Sequence, residues 1–223
     1  MMPQEIEAAL DRSERALDEG RGLTGTGFWR AVGQVKRDGA LIDGYADRIA
    51  AIDRRAFERG VTLRVPAAVG ILGLVGATAV GIAGVVFARD HAPSGLAPLA
   101  FLFGFGAILV GSHSLAHWVV GRLLGMRFTH VFLGGPPPPR PGLKTDYATY
   151  LRASAGARAL MHASGAVLTK IVPFALIPFV PEASSWLVWL LLGVGVFQIL
   201  TDVFLSTKVS DWKKVKRELR ARP

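Results

Sequence analysis

Four apolar stretches, at approximately 64–88, 96–124, 163–181 and 185–206, dominate the chain. A bilayer core of about 30 Å takes roughly 17 to 25 helical residues to cross, and each stretch supplies that length. No other feature constrains the fold as strongly, because a segment in lipid must satisfy its own backbone polar groups, and a helix does so within one segment. Hydrophobic residues make up 51% of the 223, and the mean hydropathy of +0.37 fits the same class. The expected architecture is an all-α membrane protein: four transmembrane helices, a small cytoplasmic β segment and an N-terminal amphipathic helical region. The first stretch, "VPAAVGILGLVGATAVGIAGVVFA", carries no charge and repeats small residues at short spacings (Gly73, Ala77, Gly81; Gly76, Val80, Gly84), which suits close helix packing.

Charge sets the expected orientation. The connections "RDHAPSG" and "PEAS" are short and nearly free of basic residues, so they are expected outside. The loop 126–161 holds Arg127, Arg140, Lys144, Arg152 and Arg158 against the single acid Asp146, and the tail "STKVSDWKKVKRELRARP" is strongly basic. Both are expected in the cytoplasm, which puts both termini there. The net charge of +9 is thereby spread over membrane-proximal loops, a distribution that points to the lipid bilayer and away from nucleic acid. The expected regions are a cytoplasmic helical region at 1–60, a transmembrane domain at 61–207 and a basic cytoplasmic tail at 208–223. The first apolar run starts only near Val61, so the first span is expected to serve as the insertion signal.

In the N-terminal region a short amphipathic helix is expected, then a break at "GRGLTGTG", then a longer amphipathic helix running into the first span. Apolar residues there fall near a heptad: Phe28, Val35, Ile42 and Ile49, with Tyr45 and Ile52 three further on. Gly33, Gly39 and Gly44 interrupt the pattern, each at about 1 kcal/mol relative to Ala. That favours a helix resting on its own domain or on the membrane surface over a partner-binding coiled coil.

Chemistry concentrates in "GSHSLAHWVVGRLLG", residues 111–125 of the second span. His113 and His117 stand at i and i+4, project from one helix face a turn apart, and can grip one metal ion. The chain has no cysteine, so any metal must sit on His, Asp, Glu or backbone oxygen. Ionisable residues inside spans are expensive and usually functional, which directs attention to Asp202 in the fourth span. At 1.5 Å per residue, His117 and His113 lie about 10 and 16 Å inside the cytoplasmic boundary and Asp202 about 6 to 8 Å. Two imidazoles, one carboxylate and a water make an open zinc site. The competing reading gives Asp202 to Lys170 or to the basic tail and leaves the histidines as packing. His162 and His130 are second-shell candidates nearer the interface.

The stretch "HSLAHWVVGRLLGMRF" resembles the zinc helix of the site-2 protease family of intramembrane metalloproteases, whose pattern is His-Glu-x-x-His. Downstream, "MRFTHVFLGGPPPP" is similar to that family's short β segment, "HASGAVLTKIVPF" to its Gly-Pro-x-x-Asn helix and "FQILTDVFLS" to its Asp-bearing helix, so the resemblance covers about 95–212. It implies zinc on His113, His117 and Asp202. It also implies a loss: the family's general-base glutamate falls on Ser114, whose hydroxyl cannot take a proton from a metal-bound water at neutral pH. The asparagine position reads Thr169 or is lost, and Leu-Asp-Gly becomes Thr201-Asp202-Val203. Metal ligands without hydrolytic machinery are the mark of a pseudoprotease. A substitute base, for instance Asp146, would be needed to restore catalysis.

In the cytoplasmic loop, "RFTHVFL" reads as a strand and "GGPPPPRPG" as its end, stiffening into polyproline II. Two roles stay open for it: an edge that pairs with an extended substrate, or a hairpin that plugs the bundle's mouth. "LKTDYATYLRASAGARALMH" reads as a basic interfacial helix leading into the third span, with Tyr147 and Tyr150 at headgroup level. The functional expectation is a metal-binding, proteolytically impaired membrane protein acting on or holding membrane proteins or transmembrane peptide segments. The alternatives are an active zinc protease with an unconventional base and an accessory subunit of a membrane complex.

Overall fold

The computed structural model describes residues 2–61, 63–134, 140–204 and 210–221. The chain forms two compact units. The first gathers Met1–Ala67, Gly121–Ala159 and Arg217–Pro223; the second comprises Ala68–Val120 and Leu160–Lys216. Most of the loop 126–161 and the end of the basic tail thus group with the N-terminal helices.

In the first unit, α1 (Pro3–Asp18) places Ile6, Leu10, Ser13 and Leu17 on one buried face, at the spacing of successive helical turns. The expected break follows, with Gly20, Gly25 and Gly27 at positive φ, a backbone state that glycine adopts without a Cβ clash. The long helix expected from Phe28 is two helices, α2 (Phe28–Arg37) and α3 (Gly39–Gly60). They divide at Asp38, which takes an extended conformation and caps α3 by accepting a hydrogen bond from Ala40 N at 3.2 Å. Phe28, Val32 and Val35 of α2 and Ile49 and Ile52 of α3 share one core with the α1 stripe.

Nor does α3 run directly into the first span. A strand, β1 (Leu63–Pro66), intervenes and pairs antiparallel with β2 (Phe128–Gly134), which pairs antiparallel with β3 (Arg140–Thr145). The registers set Leu63 opposite Leu133 and Val131 opposite Leu143. Pro66 and Pro141 lie on the two outer strands, where a missing backbone N–H costs no ladder bond. The "RFTHVFL" strand is therefore present, but "RPG" belongs to a returning strand and not to polyproline II; residues 135–139 lie outside the described residues. Phe57 of α3 meets Phe132 edge-on at 5.1 Å, and Lys144 of β3 pairs with the buried Asp53 of α3. The expected interfacial helix is also divided: α6 (Tyr147–Arg152), capped by Asp146, closes onto the first unit's core through Leu151, and a separate helix, α7 (Ala155–Ala175), starts afresh.

The second unit is built on four helices: α4 (Ala67–Asp90), α5 (Ala97–Leu123), α7 (Ala155–Ala175) and α8 (Trp186–Phe204). All four are long and apolar enough to cross a membrane, the third counted on to Phe179 through a short 3₁₀ turn. Large apolar side chains such as Leu72, Leu99, Phe103, Trp189, Phe197 and Val203 point outward, while Val85, Phe101, Phe105, Val172, Leu187 and Leu191 form the interior. Small residues let α4 and α5 touch. A Cβ on Gly81 would meet Gly104 O at 2.8 Å, and one on Gly104 would meet Val85 N at 2.9 Å. Gly73 and Gly76, from the same sequence pattern, face open space. The tail contributes a further helix, α9 (Asp211–Arg220).

Candidate metal site

His113 and His117 face the same side of α5, as their spacing requires, with ring centroids 4.7 Å apart and Nε2 atoms 3.2 Å apart. The carboxylate that joins them is that of Asp211, the first residue of α9. Its Oδ2 lies 3.4 Å from His113 Nε2 and 3.3 Å from His117 Nε2. A tetrahedral ion with bonds of about 2.0–2.1 Å holds its ligand atoms about 3.3–3.4 Å apart. The three donor atoms already stand at that spacing.

The surroundings fix the donors' directions. His117 Nδ1 donates to the carbonyl of Met161 at 2.6 Å, which orients the ring with Nε2 toward His113 and Asp211. Atoms so converged are held together by a shared proton or by a cation lying among them. His117 packs against α7 where Gly165 has no side chain. A Cβ there would strike its Nε2 and stand 2.6 Å from Cε1. Lys214, one turn along α9, donates to Asp211 Oδ1 at 2.9 Å. Burial works to raise the Asp211 pKa, but the His117 imidazole and the Lys214 ammonium outweigh it and hold the carboxyl below the usual range.

Asp202, expected as the third ligand, instead forms an ion pair with Lys170 of α7, the partner that competed for it in the sequence. The reason is local: a carboxylate on an apolar helix is stabilised most by the nearest cation, here the half-buried Lys170. Lys170 is further fixed by donating to Ala166 O at 2.9 Å. A cavity of about 310 Å³ is lined by His113, Thr169, Lys170, Gln198, Asp202 and Asp211 among others, so Asp202 shares the chamber without joining the donor set.

Thr169 turns its hydroxyl back to Gly165 O at 2.9 Å. His162 stacks edge-on with His117 at 6.3 Å, a supporting neighbour. His130 belongs to the first unit, where its ring meets Phe57 at 5.7 Å. Ser114 is half-buried on α5. Asp146, considered as a substitute base, is committed in the first unit: it accepts from Thr149 N at 3.3 Å and stands 3.8 Å from Arg54. Sequence reasoning missed Asp211 because it lies in a segment read only for its positive charge. One signal was available, since only Asp211 and Glu218 are acidic in that tail and each opens or closes a helical turn among basic neighbours.

No family model, curated protein or solved structure matches the chain.

Proposed function

We propose that this chain is a multi-pass membrane protein that binds a zinc-class divalent cation through His113, His117 and Asp211. It resembles a site-2 protease without a working base and holds transmembrane partners without cutting them. The observation that carries the reading is the mutual 3.2–3.4 Å spacing of three donor atoms on two helices. Two neutral imidazoles and one carboxylate suit zinc, and a fourth position opens toward the cavity lined by Lys170 and Gln198. Loss of hydrolysis follows from Ser114: activation of a metal-bound water needs a base near the operating pH, and a hydroxyl is not one. The four long apolar helices and their outward apolar side chains support membrane insertion.

The test is metal analysis of the full chain purified in neutral detergent. Wild type is expected to hold one zinc per chain and His113→Ala none at matched protein concentration. Equal, negligible zinc in both would refute the site. Co-expression with tagged single-span proteins tests the second half, the expectation being co-purification of a partner and no His117-dependent fragment.

A further inference from the structure

Helix α9 has two chemically opposed faces. At about 100° per residue, Asp211, Val215 and Glu218 fall on one side, and all three are half-buried or buried. Lys213, Lys216, Arg217 and Arg220 fall within about 100° of arc on the opposite side, and all four are exposed. Both acids of the helix are thus turned inward onto cations or imidazoles of the protein, Asp211 to the histidine pair and Glu218 to Lys36. Four positive charges are turned outward.

Position along the chain names what that outward face can meet. Seven residue steps separate Phe204, the last residue of the apolar α8, from Asp211, a reach of at most about 25 Å. A basic face on so short a tether can reach the surface of an anionic bilayer, whose field falls off over about 8–10 Å. We propose that the Lys213, Lys216, Arg217 and Arg220 face of α9 binds the headgroups of anionic lipids. This rests on the membrane reading above and is independent of the metal. Each basic residue near such a surface strengthens attachment about fivefold, so the face is a headgroup-binding element and not merely a solvated one.

The chain contains no cysteine, so a single introduced thiol reports on one position. Full-length Lys216→Cys carrying a fluorophore is placed in nanodiscs of neutral phosphatidylcholine, or of the same lipid with phosphatidylglycerol, each with a headgroup-level quencher. Quenching is expected to rise at least about twofold with the anionic lipid and to fall back in high salt. Adding K213Q, R217Q and R220Q should abolish the dependence on lipid charge. Equal quenching in both lipids, a response indifferent to salt, or an unchanged response in the charge-depleted variant would each overturn the proposal. Zinc content measured on the same samples reports separately on the metal site.

Discussion

Asp211 Oδ2 stands 3.3 Å from His117 Nε2 across 94 residues of chain, while Lys214 holds the other carboxylate oxygen at 2.9 Å. The pair makes the assignment of the third ligand directly testable. Asp211→Asn is expected to weaken zinc binding by more than the about 10–100-fold typical of losing a supporting group, and Asp202→Asn to leave it within a few-fold. Competition titration with a chromophoric chelator measures both. Equal effects from the two variants would return Asp202 to the donor set.

Gly165 leaves the room in which the His117 ring sits. Gly165→Ala must displace that ring or the α5 backbone beside it, since the added carbon would also meet His113 O at 2.9 Å. A cost of about 1–3 kcal/mol is expected from overpacking, together with weaker zinc binding. Gly104→Ala should cost a similar amount at the α4 crossing and leave zinc affinity unchanged. Gly76→Ala, which meets nothing within 4 Å, should be neutral or stabilising by up to about 1 kcal/mol. Thermal unfolding in detergent ranks the three.

The Lys170–Asp202 pair lies between two apolar helices, with side chains 18% and 29% exposed. Lys170→Met alone strands a carboxylate and should destabilise the second unit by about 1–3 kcal/mol, below the cost of a fully buried pair because this one is only partly buried. Lys170→Met with Asp202→Leu should recover most of the loss. A double-mutant cycle showing simple additivity would mean the two groups are not coupled.

In the first unit, Glu218 is fully buried and accepts from Lys36 Nζ and Arg158 Nε, each at 2.7 Å. Burial pushes the Lys36 ammonium down from 10.5 to about 8, although Glu218 lies beside it. Between about pH 8 and 10.5 the unfolded chain therefore keeps a proton that the folded one has released, and stability from this group rises with pH across that window. For Glu218, burial works to raise the pKa, but Lys36 and Arg158 outweigh it and hold it below its usual value. Its contribution is accordingly present above the ordinary carboxylate range and lost as pH falls through the lowered value. Denaturant unfolding of wild type and Lys36→Met should diverge as pH is raised from 8 to 10. Parallel curves would show that Lys36 does not titrate there. Glu218→Gln, which leaves two buried cations without a counter-charge, should cost about 3–5 kcal/mol.

How much of this was legible in the sequence follows from the range over which each determinant acts. Span length, amphipathic spacing and the i, i+4 histidine pair are local properties, fixed by a helical repeat that needs no distant partner. The four long helices, the glycine break after α1 and the shared face of His113 and His117 were therefore readable. The division at Asp38 and the strand β1 were not, since a cap and an edge pairing overrode a continuous apolar pattern.

The sequence by itself determined that two imidazoles would face one side of an apolar helix and that the position after the first would carry the hydroxyl of Ser114. Only the tertiary structure decided which acid would meet them. Asp202 and Asp211 are nine positions apart, and depth along the fourth helix favoured the first. Yet a carboxylate goes where its counter-charges lie: Lys170 on α7 takes Asp202, while Lys214 on α9 secures Asp211 beside the histidines. Such choices depend on which helices pack together and on the cost of leaving a charge unpaired in a low-dielectric interior, and neither is written in the spacing of residues along the chain.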